Sequence, residues 1–347
     1  MTRTRTLVTG GAGFIGTNMV DRLARSGAPV RVLDDLSRPG TRTNLAWLCE
    51  RHGAMIEFVH GDVREPSAVR RALSGANRVF HFAAQVAVTS SVTDPLHDFS
   101  VNLAGTLNVL EELRRLREPP TLLFTSTNKV YGALEDLLLE PLDQRYRPEA
   151  GRWAAGVDEE RPLDFCSPYG CSKGAADQYV LDYAKSYGLT TVVFRMSCIY
   201  GPHQHGNEDQ GWVAHFMKAA MAEEPITIFG DGRQVRDLLY VDDLIEAMLA
   251  ATDRAQRLAG CAFNIGGGPA NSISLLELLS RLPALCGRFP DVVTGGWRVG
   301  DQRWYVSDVS RFTAASGWIP RTAVDRGLER LYRWLAARPA DAVLEAS

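Results

Sequence analysis

Short runs rich in β-branched and aromatic residues recur along the first two hundred positions: TLVT (6–9), VRVL (30–33), IEFVH (56–60), RVFHF (78–82), TLLFTS (121–126) and TVVFR (191–195). Their length and composition fit buried strands. Between them lie stretches with helical spacing of apolar residues, near 14–26, 66–74, 96–117 and 168–187. Strands alternating with helices predict parallel strands joined by crossover helices, hence an α/β, doubly wound, Rossmann-type sheet. Pro168 stands just inside the last helix, with Ser167 before it as an N-cap, which is a start signal.

The rhythm changes near position 200. YGPHQHGNEDQGW (200–212) reads as a loop, helices follow over 213–222 and 241–252, and CAFNIGGG (261–268) reads as a returning strand. The pattern predicts a sheet domain over 1–196, with segments near 235–265 returning to it. Residues 197–347 then form mainly a smaller mixed α/β lobe over the carboxyl edge of the sheet. The long polar stretch 134–165, with Arg145, Arg147 and Arg152, fits a lid and a solvated insertion equally well.

Composition narrows the classes. The 347 residues carry 38 basic and 41 acidic side chains, a net charge of −3, and 45% are hydrophobic. That is a globular chain with ample core material and no block of like charge for a nucleic acid or membrane surface. No apolar run is long enough to cross a bilayer. The opening MTRTRTLVT is interrupted by Gly10, Gly11 and Gly13 before a signal-peptide core could form. Cys49, Cys166, Cys171, Cys198, Cys261 and Cys286 contain no C-x-x-C pair, so free thiols in a cytoplasmic setting are expected. His203 and His205, near Glu208 and Asp209, read as a polar loop; no metal is expected.

The stretch TLVTGGAGFIGTNMVDRL places Gly10, Gly13 and Gly16 between a strand and a helix that opens at Phe14. A tight turn needs glycine there so that a pyrophosphate can reach bare N–H groups at the helix N-terminus. Asp34 ends the next strand, about 20 residues further on, where a carboxylate accepts hydrogen bonds from the ribose hydroxyls of NAD. Arg38 nearby leaves room for NADP. Asp62, in GDV after the third strand, is placed to meet adenine or to close a simple turn.

Tyr169 and Lys173 lie four apart at the start of the 168–187 helix, on one face of it. Only four of the 38 basic residues are Lys, so this chain uses Arg wherever charge alone suffices. A Lys behind a Tyr, with a positively charged nicotinamide, favours the phenolate and is expected to lower the phenol pKa. Such a phenol can take a proton from a sugar hydroxyl while hydride leaves the same carbon. Thr127, at the carboxyl end of the fifth strand, would hold that hydroxyl in line.

With TGGAGFIG, DDLS, GDV, HFAAQVAV, VNLAGTLNVLE, YGCSK, GDGRQVRDLLYVDD and RVGD, the chain resembles the extended short-chain dehydrogenases/reductases of the NAD-dependent epimerase/dehydratase group, over nearly its whole length. The resemblance implies Thr127, Tyr169 and Lys173 as catalytic. It implies an NAD site of Gly10, Gly13, Phe14, Ile15, Gly16, Asp34, Asp62, Val63, Ala83, Ala84, Gln85 and Asn102, completed by Tyr169 and Lys173, with the cofactor tightly held and recycled. Thr127, Asn128 and Gln210 would meet a nucleotide sugar, and Arg236 and Arg298 would clamp its pyrophosphate. The helices at 96–117 and 168–187 resemble a pair that forms a four-helix interface, implying a homodimer or homotetramer.

STNKVYG, TVVFRMSCIYGPHQ and EDQGW are most similar to the branch that epimerises carbon 2 of CDP-linked hexoses. Dehydratases of the group carry Asp-Glu after the active-site Thr; Asn128 and Lys129 stand there instead. Three other functions remain open: 4-epimerisation of a UDP-sugar, net dehydrogenation or reduction, and NAD sensing without chemistry.

Overall fold

The computed structural model describes residues 5–149, 151, 153–298 and 300–337. Arg152 therefore lies outside the described residues. Seven parallel strands form its centre: β1 (Arg5–Thr9), β2 (Val30–Asp34), β3 (Ile56–His60), β4 (Ala76–His81), β5 (Thr121–Thr127), β6 (Thr191–Met196) and β7 (Cys261–Ile265). Their spatial order is β7–β6–β5–β4–β1–β2–β3, so the order reverses next to β1. This is the doubly wound Rossmann-type sheet, and ligands of such sheets bind outside the carboxyl ends at that reversal.

Successive side chains of a strand point to opposite faces, and each face has its own core. Val8, Val32 and Leu123 pack on one side with Met19, Val20 and Leu23 of helix α1 (Phe14–Arg25). Leu7, Leu33, Leu122 and Phe124 pack on the other with helices α3 (Pro66–Leu73), α4 (Gly105–Arg114) and α5 (Ser167–Tyr187). Helix α2 (Thr41–His52), between β2 and β3, has no counterpart among the helices read from the sequence. It buries Thr41, Asn44 and Leu48. Two of the three are polar, so no apolar stripe marks the helix.

The stretch expected as one helix over 96–117 is a short helix at Pro95–Phe99, a wide π-type turn at Ser100–Ala104, and then α4. Ser167 opens α5 with a left-handed φ of 68°, and its hydroxyl accepts the Gly170 N–H at 3.3 Å, the bond an N-cap makes. Holding a non-glycine residue in that region costs about 1–3 kcal/mol.

The lobe has a separate core around Met217, Leu238, Leu278 and Leu331. Its strand Val235–Tyr240 pairs with Cys198–Tyr200, Ser272–Ser274 and Trp304–Tyr305. Residues 134–165 form neither a free lid nor a solvated insertion. Leu134, Leu137, Tyr146 and Val157 are buried against Trp304, Tyr305 and Val306. The Tyr146 hydroxyl donates to Asp231 at 2.6 Å, and Val157 accepts from the Asn264 side chain of β7 at 2.8 Å. The stretch braces the lobe against the sheet. The six cysteines are unpaired, and among the described residues no helix is long and apolar enough to cross a membrane.

A buried ion pair ties α5 to the sheet: Arg195 on β6 donates to both oxygens of Asp177, at 2.9 and 3.0 Å, and also to the Tyr131 hydroxyl at 3.1 Å. Asp177 has no exposed surface. Removing one partner of such a pair strands the other charge. Asp177→Ala is therefore expected to cost about 3–5 kcal/mol in urea unfolding; a loss below about 1 kcal/mol would contradict this reading.

Candidate functional site

At the carboxyl edge of β1 the chain turns through Gly10, whose φ is +66°. A Cβ there would lie 2.7 Å from the Ala83 nitrogen, and one on Gly16 would lie 2.2 Å from the Gly10 carbonyl oxygen. Only glycine lets the turn, the first turn of α1 and the loop after β4 approach this closely. The turn opens onto a cleft of about 430 Å³, lined also by Phe14, Ile15 and Gly13. Asp34, at the end of β2, faces the same cleft. Its carboxylate accepts N–H groups from Ala12 at 3.0 Å and Leu36 at 2.9 Å. Burial raises its pKa, and these two donors oppose the rise.

Asp62, Val63, Ala83, Ala84, Gln85, Gln210, Tyr169 and Lys173 line the cleft as well. Asp62 is held in a turn by Arg64, which donates to it from backbone and side chain. Asn102 lies behind the wall instead, 1% exposed in the π-type turn. It accepts the Gln85 N–H at 3.0 Å and donates to Asp98 and Ser172. Its place is to hold the loop after β4 against α5.

Thr127 closes β5 beside Tyr169; its hydroxyl accepts the Lys129 N–H at 3.2 Å. The Tyr169 N–H is fixed by the Ser91 hydroxyl at 3.1 Å. Lys173 is 3% exposed, with Nζ 4.3 Å from the centre of the Phe124 ring. Burial pulls its pKa down to about 7, against the pull of Asp177 and Asp98. The expected lowering of the phenol pKa rests on the nicotinamide charge; the protein's own groups, taken together, act in the other direction. Burial pushes Tyr169 up to about 12, the neighbouring Thr127 hydroxyl opposes this, and the charges acting on it are those of Asp98 and Arg38.

Asn128 and Lys129 point into the lobe. Asn128 donates to Gln302 at 2.9 Å, and Lys129 Nζ donates to the Gly300 carbonyl at 3.1 Å. Burial and the Arg236 charge lower Lys129 to about 8. Arg236, 8% exposed, lies 4.0 Å from Asp301. Arg298 belongs to the same turn, since the Asp301 N–H donates to its carbonyl at 3.3 Å. Its guanidinium stacks on Phe229 and donates to the Glu208 carbonyl at 2.9 Å. Thr127, Asn128, Arg236 and Arg298 do not line the cleft.

Sequence reasoning passed over Ser91, Asp98 and His81. His81 is 1% exposed, bonded to the Thr9 hydroxyl at 2.6 Å and Thr106 at 3.1 Å, and burial takes its pKa to about 3. It is a neutral ring under the cleft floor, next to Lys173. The HFAA motif was the available signal. His203 and His205 both face the Asn44 side chain, and among the described residues no group of three or more His, Cys, Asp or Glu could hold a metal.

Residues 6–266 match the model of the NAD-dependent epimerase/dehydratase family. The chain belongs to that family. It is 42% identical to the CDP-paratose 2-epimerase of Salmonella typhi, over 95% of this chain and 99% of the relative. Its fold is similar to Thermus thermophilus UDP-glucose 4-epimerase in complex with NAD, at TM-score 0.80 and 32% identity, covering 97% of this chain and all of that one. It is also similar to Bacillus cereus UDP-glucuronic acid 4-epimerase with UDP-glucuronic acid and NAD, at TM-score 0.83 and 26% identity, covering 96% of this chain and 99% of that one. The family's enzymes work on nucleotide sugars with NAD, and NAD is the cofactor here. The cleft fits it. Cleft-lining Gln85, Ser126 and Gln204 each hold a buried side-chain oxygen with no partner in the protein, as polar ligand atoms would require.

The depressed Lys173 gives a pH signature. Between about pH 7 and 10 the unfolded chain binds a proton that the folded protein has released, so stability rises with pH across that window. The cost of burying the ammonium is full below pH 7 and gone above about 10. Lys173→Met removes this slope. Wild type is expected to gain on the variant by up to about 1.4 kcal/mol per pH unit in urea unfolding; a constant difference from pH 6.5 to 9.5 contradicts the assignment.

Proposed function

We propose that this enzyme inverts carbon 2 of a CDP-linked hexose, by oxidation to a ketone and reduction from the opposite sugar face. The observation that carries this reading is the 42% identity, across nearly the full length of both chains, to a CDP-paratose 2-epimerase. Asn128 and Lys129 support it: no acid follows Thr127 to expel a hydroxyl, and both side chains are engaged with the lobe.

In this reading NAD supplies a reversible hydride acceptor. The protein's work is to orient the sugar and to move one proton. Tyr169 takes the proton of the carbon 2 hydroxyl, and Thr127, at the end of β5, aligns that hydroxyl. The high phenol pKa means that the neutral form prevails until positive charge enters the cleft; Arg38 already contributes to that field. Lys173 holds the nicotinamide ribose. Arg236 and Arg298 take the diphosphate, for which a planar guanidinium fork is well suited, and Gln210 closes the side toward the loop over 200–212. The lobe keeps water from the ketone while the sugar turns.

The same reading includes a cytoplasmic homo-oligomer. Val92, Leu96, Phe99, Tyr179 and Tyr187 are exposed on the helices around 88–99 and on α5, and Leu96 is 79% exposed. A monomer would leave this apolar surface in water.

The 4-epimerase reading draws on the fold likeness to UDP-sugar 4-epimerases. A sugar rotated by one ring position would present carbon 4 to the same phenol. NMR of products from CDP-, UDP- and GDP-hexoses separates the readings. Inversion at carbon 2 of a CDP-hexose is expected, without free reduced cofactor, from protein that sediments as a dimer or tetramer. Inversion at carbon 4 alone, or net accumulation of reduced cofactor, rejects the proposal.

A further inference from the structure

The loop over 200–212 leaves the lobe and crosses to the cofactor side of the sheet. Asn44 of α2, 3% exposed, is the point it meets. The Asn44 amide donates to the Ala12 carbonyl in the glycine turn at 3.1 Å and to the His203 carbonyl at 3.3 Å. Its Oδ1 faces His203 Nδ1 and His205 Nε2, each at 3.3 Å. One buried amide therefore holds the phosphate-binding turn and the lobe loop together.

Two further contacts secure the same loop. Asn18 of α1 donates to the Pro202 carbonyl at 2.9 Å. The His205 ring lies flat against Gly40, where a Cβ would come within 2.3 Å of it. Beyond these two, the His203 ring packs at a tilt against Trp47 of α2, with ring centres 4.2 Å apart. Asn44, His203, Gln204 and His205 all line the cofactor cleft. Gln204 is 2% exposed, and its Oε1 has no partner in the protein. The loop thus forms part of the cleft wall and offers a polar atom to what the cleft binds.

We propose that Asn44 is a cofactor-retention residue: by clasping the 202–205 segment to the glycine turn, it closes the cleft over NAD and sets the rate at which the dinucleotide leaves. A molecule as long as NAD, held between the turn and this loop, escapes only when the clasp opens. An enzyme whose cofactor is regenerated in each cycle has no need of exchange, and a slow clasp costs it nothing in turnover. The inference uses only the NAD site and does not depend on which sugar carbon reacts.

The test is NADH release from the intact protein. Each protein is loaded with NADH, chased with excess NAD⁺ and followed by nicotinamide fluorescence; NAD retained after gel filtration is measured alongside. Asn44→Ala and His205→Ala are each expected to speed release at least tenfold and to lower the retained NAD. Gly40→Ala, which drives a methyl group into the His205 ring, is expected to do the same. Circular dichroism and thermal melts at saturating NAD show whether each variant is folded. If Asn44→Ala does not fold, His205→Ala and Gly40→Ala decide. Release at the wild-type rate in folded His205→Ala and Gly40→Ala overturns the proposal, including the case where Asn44→Ala alone is fast and acts through Ala12. A fall in melting temperature without faster release also overturns it, because a merely structural role would give that result.

Discussion

The seating of Tyr169 in the first turn of α5, its N–H bonded to the Ser91 hydroxyl and its phenol lining the dinucleotide cleft, joins the fold to the chemistry. Everything else in the site keeps the phenol facing that cleft. The parallel order of the strands brings the ends of β1, β2, β4 and β5 to one edge, so the glycine turn, Asp34, the Ala83–Gln85 loop and Thr127 arrive together. Helix α5 must then start at the right height. The left-handed Ser167 and the bond from the Tyr169 N–H to Ser91 set that start. The strain at Ser167 is local and is outweighed by the packing of α5 against the sheet.

Charge is arranged around this contact with equal care. Lys173 is buried as the phenol's neighbour along the helix, yet its field is shared with Asp98 and Asp177. Asp177 is itself fully engaged by Arg195, and Asp98 is tied through Asn102 to the wall of the cleft. The protein therefore holds the Lys173 side chain in a network with two carboxylates. In the proposed mechanism the phenol gains its basicity when the oxidised cofactor brings positive charge into a low-dielectric cleft, where a charge acts more strongly than in water.

Much of this was legible in the chain because it is written locally. β-branched runs gave six of the seven central strands, and CAFNIGGG gave the seventh as a returning segment. The glycine spacing and Asp34 located the dinucleotide cleft, because a tight strand–turn–helix admits few other residues. What escaped was encoded in burial of polar groups or in distant contacts. Helix α2 hides because two of its three buried residues, Thr41 and Asn44, are polar, and the partners of Asn44 lie in the glycine turn and in a loop some 160 residues away. Asn128 and Lys129 read as neighbours of the active-site Thr, but their side chains meet Gln302 and Gly300. No local pattern announces a pairing across that separation. The 134–165 stretch looked polar and open because its buried residues are sparse and aperiodic, and they find their partners far along the chain, around Trp304, Asp231 and Asn264.

The account stands on the phenol oxygen of Tyr169. Tyr169→Phe removes that one atom and keeps the ring, so it isolates the proton transfer from packing. Steady-state turnover of the nucleotide sugar, measured on variant protein shown to be folded and loaded with NAD, is the direct measurement. General acid–base catalysis by a positioned side chain is worth about 10²–10⁴-fold, and turnover is expected to fall by about 10³-fold or more with NAD still bound. Turnover within about tenfold of wild type would contradict the account.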